Sequence, residues 1–213
     1  VATTVYASPD ALRARLGTAG PGWTAVEDDL HADALEQASR LVDGYCRRFF
    51  GQTDSGTART FTPAFSDRLV VPDLVSVSAI ATDETGDGAV ELTWAAADYH
   101  LEPVGAASRS GEAWPYTAIR VSTLSGSAAN HFPLTRLSTR VTGVWGWPAI
   151  PAPVKRATIL EALRILQQDQ APSGVHSSAE VGAFIVEPDL HPTTKRALMP
   201  YRRIGGPGAW DGR

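Results

Sequence analysis

Two stretches with helical apolar spacing stand on either side of about 90 residues patterned for strands, and that order rules out most simple folds. In the first stretch Val26, Leu30, Ala34, Leu35, Ala38, Leu41, Val42, Tyr45 and Phe49 follow one another at helical steps, which predicts one helix over 26–49 with a single apolar stripe. Its other face carries Glu27, Asp28, Asp29, Asp33, Glu36 and Asp43, while Arg47 and Arg48 lie at its C-terminal end, a distribution that complements the helix dipole. The second stretch opens at Pro153, a residue tolerated in a first helical turn. There Val154, Ala157, Ile159, Leu160, Ala162, Leu163, Ile165 and Leu166 cover more than half the circumference. Such a helix needs two partners: the helix at 26–49, and either the sheet or a second copy of the chain.

Between them, short β-branched and aromatic runs are separated by turn residues, the pattern of antiparallel sheet. In LVVPDLVSVSAIATD, Pro72 and Asp73 predict a break between two strands, with Val75, Val77, Ala79 and Ala81 alternating against Ser76, Ser78 and Ile80. VELTW, DYHLEP, YTAIRVST and LSTRVTGVWGW bring the expectation to six to eight strands. Outside this region Ser8, Pro9 and Asp10 open a short helix that Gly17 ends. APSGVHSSAEVGAF reads as a mobile loop, and Asp189 is expected to cap a short helix through Leu198 that Pro200 ends. The prediction is an α+β fold. A small helical bundle, 1–56 and 148–200, is interrupted by an antiparallel β-rich insertion, 57–147, and followed by an extended tail, 201–213.

Charge and cysteine content narrow the function classes. Nineteen basic against 23 acidic residues give a net charge of −4, which argues against a protein that grips phosphate backbones. The single cysteine, Cys46, excludes a disulfide framework and reads as a small buried hydrophobe. VATTVYASPD lacks a basic start before an apolar core, and no apolar run approaches ~18 residues, so neither a signal peptide nor a membrane span is expected.

The residues of catalysis do not assemble along the chain. His31, His100, His131, His176 and His191 lie far apart without helical metal-ligand spacing, and His31 reads as a solvated residue on a polar helix face. The nucleophile elbow, the phosphate-binding loop and the dinucleotide fingerprint are absent. Asp189, His176 and Ser177 fall in or beside the expected loop, where rigid placement is lacking. Asp83, Glu84 and Asp87 form an acidic turn that does not match a calcium loop and reads as a solvated hairpin tip. No catalytic, cofactor-binding or metal-binding residue is assigned.

Two features point to partners instead. Trp145 and Trp147 flank Gly146 before a proline-rich approach to a helix; tryptophans are most often core or domain-interface residues, and exposed ones would mark a partner surface, so with Leu160, Arg164 and Ile165 they are the candidates for subunit contact. At the other end Lys195, Arg196, Tyr201, Arg202, Arg203, Ile204 and Trp210 make a basic, aromatic segment that is either a disordered tail or an arm that orders on binding an acidic groove of another protein.

Taken in order, LEQASRLVDGYCRRFF, LVVPDLVSVSAI, RVTGVWGWPAIPAPVKRATILEALRI and LMPYRRIG resemble the head-to-tail connector, or adaptor, proteins of tailed bacteriophages, the gp6-like or gp15-like group in its longer form. The resemblance spans nearly the whole chain, and GGPGAWDGR and the longer loop before PDL depart from it. It implies a non-enzymatic subunit of a ring, expected to be a dodecamer, beneath the portal. That ring would lie in the neck of the virion, assembled in the bacterial cytoplasm, and would join portal to stopper or tail-completion protein. Double-stranded DNA would pass through it without sequence-specific contact. By the same resemblance the segment from Lys195 to Trp210 meets the portal. The alternatives are another neck joint of the stopper type and a nucleic-acid module within the β insertion.

Overall fold

The Ser8 hydroxyl accepts the N–H of Ala11 at 3.2 Å and starts the first helix, α1 (Pro9–Leu16), where the capping residue and first-turn proline place it. The computed structural model describes residues 4–16, 25–106, 112–122, 129–169, 175–178, 182–185 and 190–203. The chain divides into two compact units, Val1–Gly51 with Ile150–Ile204, and Gln52–Ala149.

In the first unit α2 (Ala25–Cys46) and α3 (Ala152–Asp169) are the long elements, and α4 (Pro192–Leu198) is short. Leu12, Ala34, Leu35, Ala38 and Ala162 form a buried cluster, against which Ile159, Leu163, Ile165 and Leu166 pack with part of their surface left out. Arg13 ties α1 to α2 by pairing with Asp28 as well as with Asp10. No described helix is long and apolar enough to cross a membrane.

Three expectations change here. α2 stops at Cys46 rather than Phe49, because Arg47 takes φ +52°, the left-handed conformation that ends a helix. The stretch read as a mobile loop contains two strands, β7 (Val175–Ser178) and β8 (Gly182–Ile185), paired antiparallel; its small polar residues hid the alternation that identifies a strand. α4 starts at Pro192 with His191 as its cap, since the His191 Nδ1 accepts the Thr193 N–H at 3.2 Å; Asp189 lies outside the described residues. So do the side chains of His176 and Ser177.

The second unit is a six-stranded antiparallel sheet in the order β1–β6–β2–β5–β4, with β3 also on β2. The strands are β1 (Thr57–Phe61), β2 (Arg68–Thr82), β3 (Leu92–Thr93), β4 (Tyr99–Glu102), β5 (Tyr116–Val121) and β6 (Thr139–Trp145). Leu69, Val71, Leu74, Ile80, Ile119, Val141, Phe132, Trp94 and Trp145 form its core, with the Trp94 and Phe132 rings stacked at 4.6 Å.

β2 is one strand, not two. Pro72 does not break it because the register with β5 jumps from Val70 to Leu74, so the proline needs no ladder hydrogen bond there; beyond that point β2 pairs mainly with β6. A second register shift, between Val77 and Ala79, reverses which residues face inward. Ala79 is therefore exposed, while Ile80 and Thr82 are buried, opposite to the uninterrupted alternation expected.

Gln52 holds the two ends of this unit side by side, its amide donating to the carbonyls of Trp147 and Pro148, both at 2.8 Å. Adjacent ends are what allow about 90 residues to sit inside another domain's sequence.

Candidate interaction surface

α4 is fixed at both ends. At its start the carboxylate of Glu161, buried on α3, accepts the His191 N–H at 3.0 Å and also faces Arg164 at 3.5 Å. Beyond its end residues 199–201 make one 3₁₀ turn, the Tyr201 ring meets Phe50 edge-on at 6.2 Å, and the Arg203 N–H donates to the Cys46 carbonyl at 2.9 Å. Replacing Glu161 by alanine leaves a helix-cap N–H without this acceptor and is expected to cost about 2 kcal/mol, with glutamine costing roughly half because its amide oxygen still accepts. Thermal melts of the two variants check the order.

The extended tail therefore does not start at residue 201. Tyr201 is only 6% exposed and serves as an anchor, so it offers little surface to a partner. Lys195 and Arg203 are half-buried, and Arg196 and Arg202 are exposed. The Arg202 guanidinium lies 5.4 Å from the centre of the Tyr45 ring, whose hydroxyl donates to the Lys195 carbonyl at 3.3 Å. Ile204 and Trp210 lie outside the described residues.

Of the residues expected at subunit contacts, Leu160, Arg164 and Ile165 are half-buried, and Ile165 packs on the core of its own unit. Trp145 and Trp147 are interior and present no face to a neighbouring subunit. The Trp145 indole donates to the Thr57 carbonyl at 2.8 Å, that of Trp147 to the Asp73 carboxylate at 3.1 Å, and the Trp147 ring lies 5.0 Å from that of Trp114. An indole N–H can be buried only with an acceptor beside it, and the sheet supplies both. Among the exposed large apolar residues are Leu30 and Leu41 of α2, 50% and 43% exposed. They are eleven residues apart, close to three whole turns, and so share one face. Their helical spacing is legible in the sequence, where both belong to the apolar stripe of 26–49; their exposure is not.

His31 is buried as well, against the solvated position expected of it; α2 turns this side, with Ala34, Leu35 and Ala38, toward the core. Cys46 is buried, which pushes its thiol up to about 12. A polar network joins Tyr6 to α2: its hydroxyl donates to Asp43 at 2.5 Å and accepts the Phe50 N–H at 2.9 Å, while Ser39 accepts its backbone N–H at 3.2 Å. Burial raises the Asp43 carboxyl from its ordinary 3.8 to about 6, although the Tyr6 hydroxyl and Arg40 favour the charged form. A carboxyl that holds its proton more tightly when folded adds stability that is fully present below about pH 4 and lost as pH rises through 6. Asp43→Asn is expected to remove that component. Wild-type stability relative to the variant should fall by about 2 kcal/mol from pH 4 to 7, after allowance for solvent screening, as urea titrations at each pH would register.

In the acidic turn Asp83, Asp87 and Glu91 bring carboxylate oxygens within 4.8 Å of one another. The Asp83 carboxylate is occupied by the chain itself, accepting the N–H groups of Gly86 at 2.6 Å and Gly88 at 2.7 Å. Burial would raise its pKa, but these N–H groups with those of Thr85 and Asp87 outweigh it and hold the carboxyl below its ordinary value. The turn is built as a hairpin-tip support.

Neither a protein-family model nor a curated protein matches the chain significantly. Among solved structures, one described as "Neck of empty GTA particle computed with C6 symmetry" contains a similar chain, with a TM-score of 0.53 and 17% identity over 98% of this chain and 95% of that one. The likeness is one of fold, and it extends over nearly the full length of both chains.

Proposed function

We propose that the protein is a structural adaptor in the neck of a tailed, phage-like particle. The observation that carries this reading is the shared fold, along almost its entire length, with a chain from the neck of a gene transfer agent particle. The ordered motifs that resemble phage connector proteins support it independently. In this reading the subunits close into a ring beneath the portal and pass the load of the DNA-filled head to a stopper or tail-completion protein. Twelve copies are expected from the resemblance, and the C6 symmetry applied to the similar neck is compatible with six or twelve.

Leu30 and Leu41, exposed on α2, and Leu160, half-buried on α3, are the proposed subunit contacts together with Arg164. The segment from Lys195 onward is the proposed portal contact. A net charge of −4 suits a duct through which DNA must slide rather than adhere. The work is mechanical, with no bond made or broken. Assembly would take place in the host cytoplasm and end in the virion neck.

Native mass spectrometry of the protein with its purified portal tests the reading: a closed ring on the portal is expected, and a monomer in the presence of portal would overturn it. Truncation after Arg203 keeps the Tyr201 anchor and removes residues 204–213; filled heads without tails are expected if those residues reach the portal. A stopper-type joint would instead leave the same truncated protein on the portal.

A further inference from the structure

The end of α2 gathers cations from two distant parts of the chain. Residues 44–51 contain Arg47 and Arg48, residues 190–203 contain Lys195, Arg196, Arg202 and Arg203, and neither stretch contains a carboxylate. The fold joins them: the Arg203 N–H meets the Cys46 carbonyl, Arg202 lies over Tyr45, and the Tyr45 hydroxyl reaches the Lys195 carbonyl. Arg48 and Arg202 both act electrostatically on the Cys46 thiol, as does Asp43, whose carboxylate is engaged by the Tyr6 hydroxyl and Arg40. In the same turn as Arg202, Met199 is 68% exposed.

Arg47 is the unexpected member. It occupies φ +52°, where glycine or asparagine ordinarily ends a helix and a longer side chain is strained. It is also exposed, so no burial within its own chain repays that strain.

We propose that Arg47 is an interface residue, forming with Arg48, Arg196 and Arg202 a cationic surface beside Met199 that docks a partner protein presenting an apolar contact ringed by carboxylates. An exposed methionine among arginines is the composition of a protein interface, whereas a surface meant only for phosphate has no use for the methionine. Like charges gathered on one surface raise the local potential, which steers an acidic partner and speeds its encounter. The surface stands on the geometry, and only the identification of its partner as the portal rests on the neck-adaptor reading.

The test uses Arg47→Gly and Arg47→Asn in the full chain, with Arg15→Gln on α1 as a charge control. Three probes are offered by calorimetry: the purified portal ring, a glutamate-rich dodecapeptide with a central leucine pair, and a 20-base-pair duplex. Both Arg47 variants should melt no lower than wild type, because their residues accept the left-handed conformation, yet bind portal and peptide at least fivefold more weakly. Arg15→Gln should bind as wild type does. Weakened peptide binding with unchanged portal binding would support the docking surface and count against the portal as its partner. Unchanged binding of both probes, a melting point several degrees lower in both variants, or duplex binding as tight as peptide binding would each overturn the proposal.

Discussion

Gly143→Ala will disrupt the β unit, at a cost of about 3 kcal/mol or more. A Cβ at this position would lie 2.1 Å from the Ser76 carbonyl oxygen and 3.3 Å from the Val77 Cα, both backbone atoms of the neighbouring strand. No rotamer change can relieve such an overlap, so β2 and β6 must separate where the register shift between Val77 and Ala79 sets which side chains enter the core. Trp94, Trp114, Trp145 and Trp147 all belong to this unit, so tryptophan fluorescence during urea unfolding reports on it. For a unit of about 100 residues the loss corresponds to a melting point lower by roughly 12 °C or more. Gly44→Ala is the control of opposite sign: a Cβ there meets nothing within 4 Å, and alanine in a helix should add about 1 kcal/mol. If the two alanines shift stability alike, the close approach of β2 and β6 is not what requires Gly143.

Trp147→Ala is expected to cost about 4 kcal/mol in the isolated protein, and Trp147→Phe about 2 kcal/mol. The alanine variant loses a fully buried ring, its contact with Trp114 and the donor to Asp73; phenylalanine keeps most of the ring and loses the donor. The size of the loss separates an interior residue from an interface residue. An interface tryptophan would leave the melting of the isolated subunit within about 0.5 kcal/mol of wild type and impair only assembly. Equal melting of wild type and both variants would return Trp147 to the subunit contact.

The elements most legible in the sequence were those whose signal is local. α1 could be read from Ser8, Pro9 and Gly17, and α3 from the apolar spacing after Pro153, because each repeats within a few residues. The strand pair β7 and β8 escaped for lack of such a repeat. Of the proposed contact surface, Lys195, Arg196, Arg202 and Arg203 stood out as a run of charge. Arg47 and Arg48 looked like ordinary complements to a helix dipole until the fold carried the C-terminal segment back to them.

Periodicity and caps thus determined helices α1 to α3, the strand-rich character of the stretch between the two long ones and the α+β class, since these follow from forces acting between residues close in sequence. The inward phase of β2 after Val77, the burial of both Trp145 and Trp147, and the meeting of Tyr45 with Lys195 across 150 residues were decided only in the tertiary structure. Each depends on which distant backbone supplies a register, an acceptor or a neighbouring charge, and that information resides in the pairing of segments rather than in any one of them.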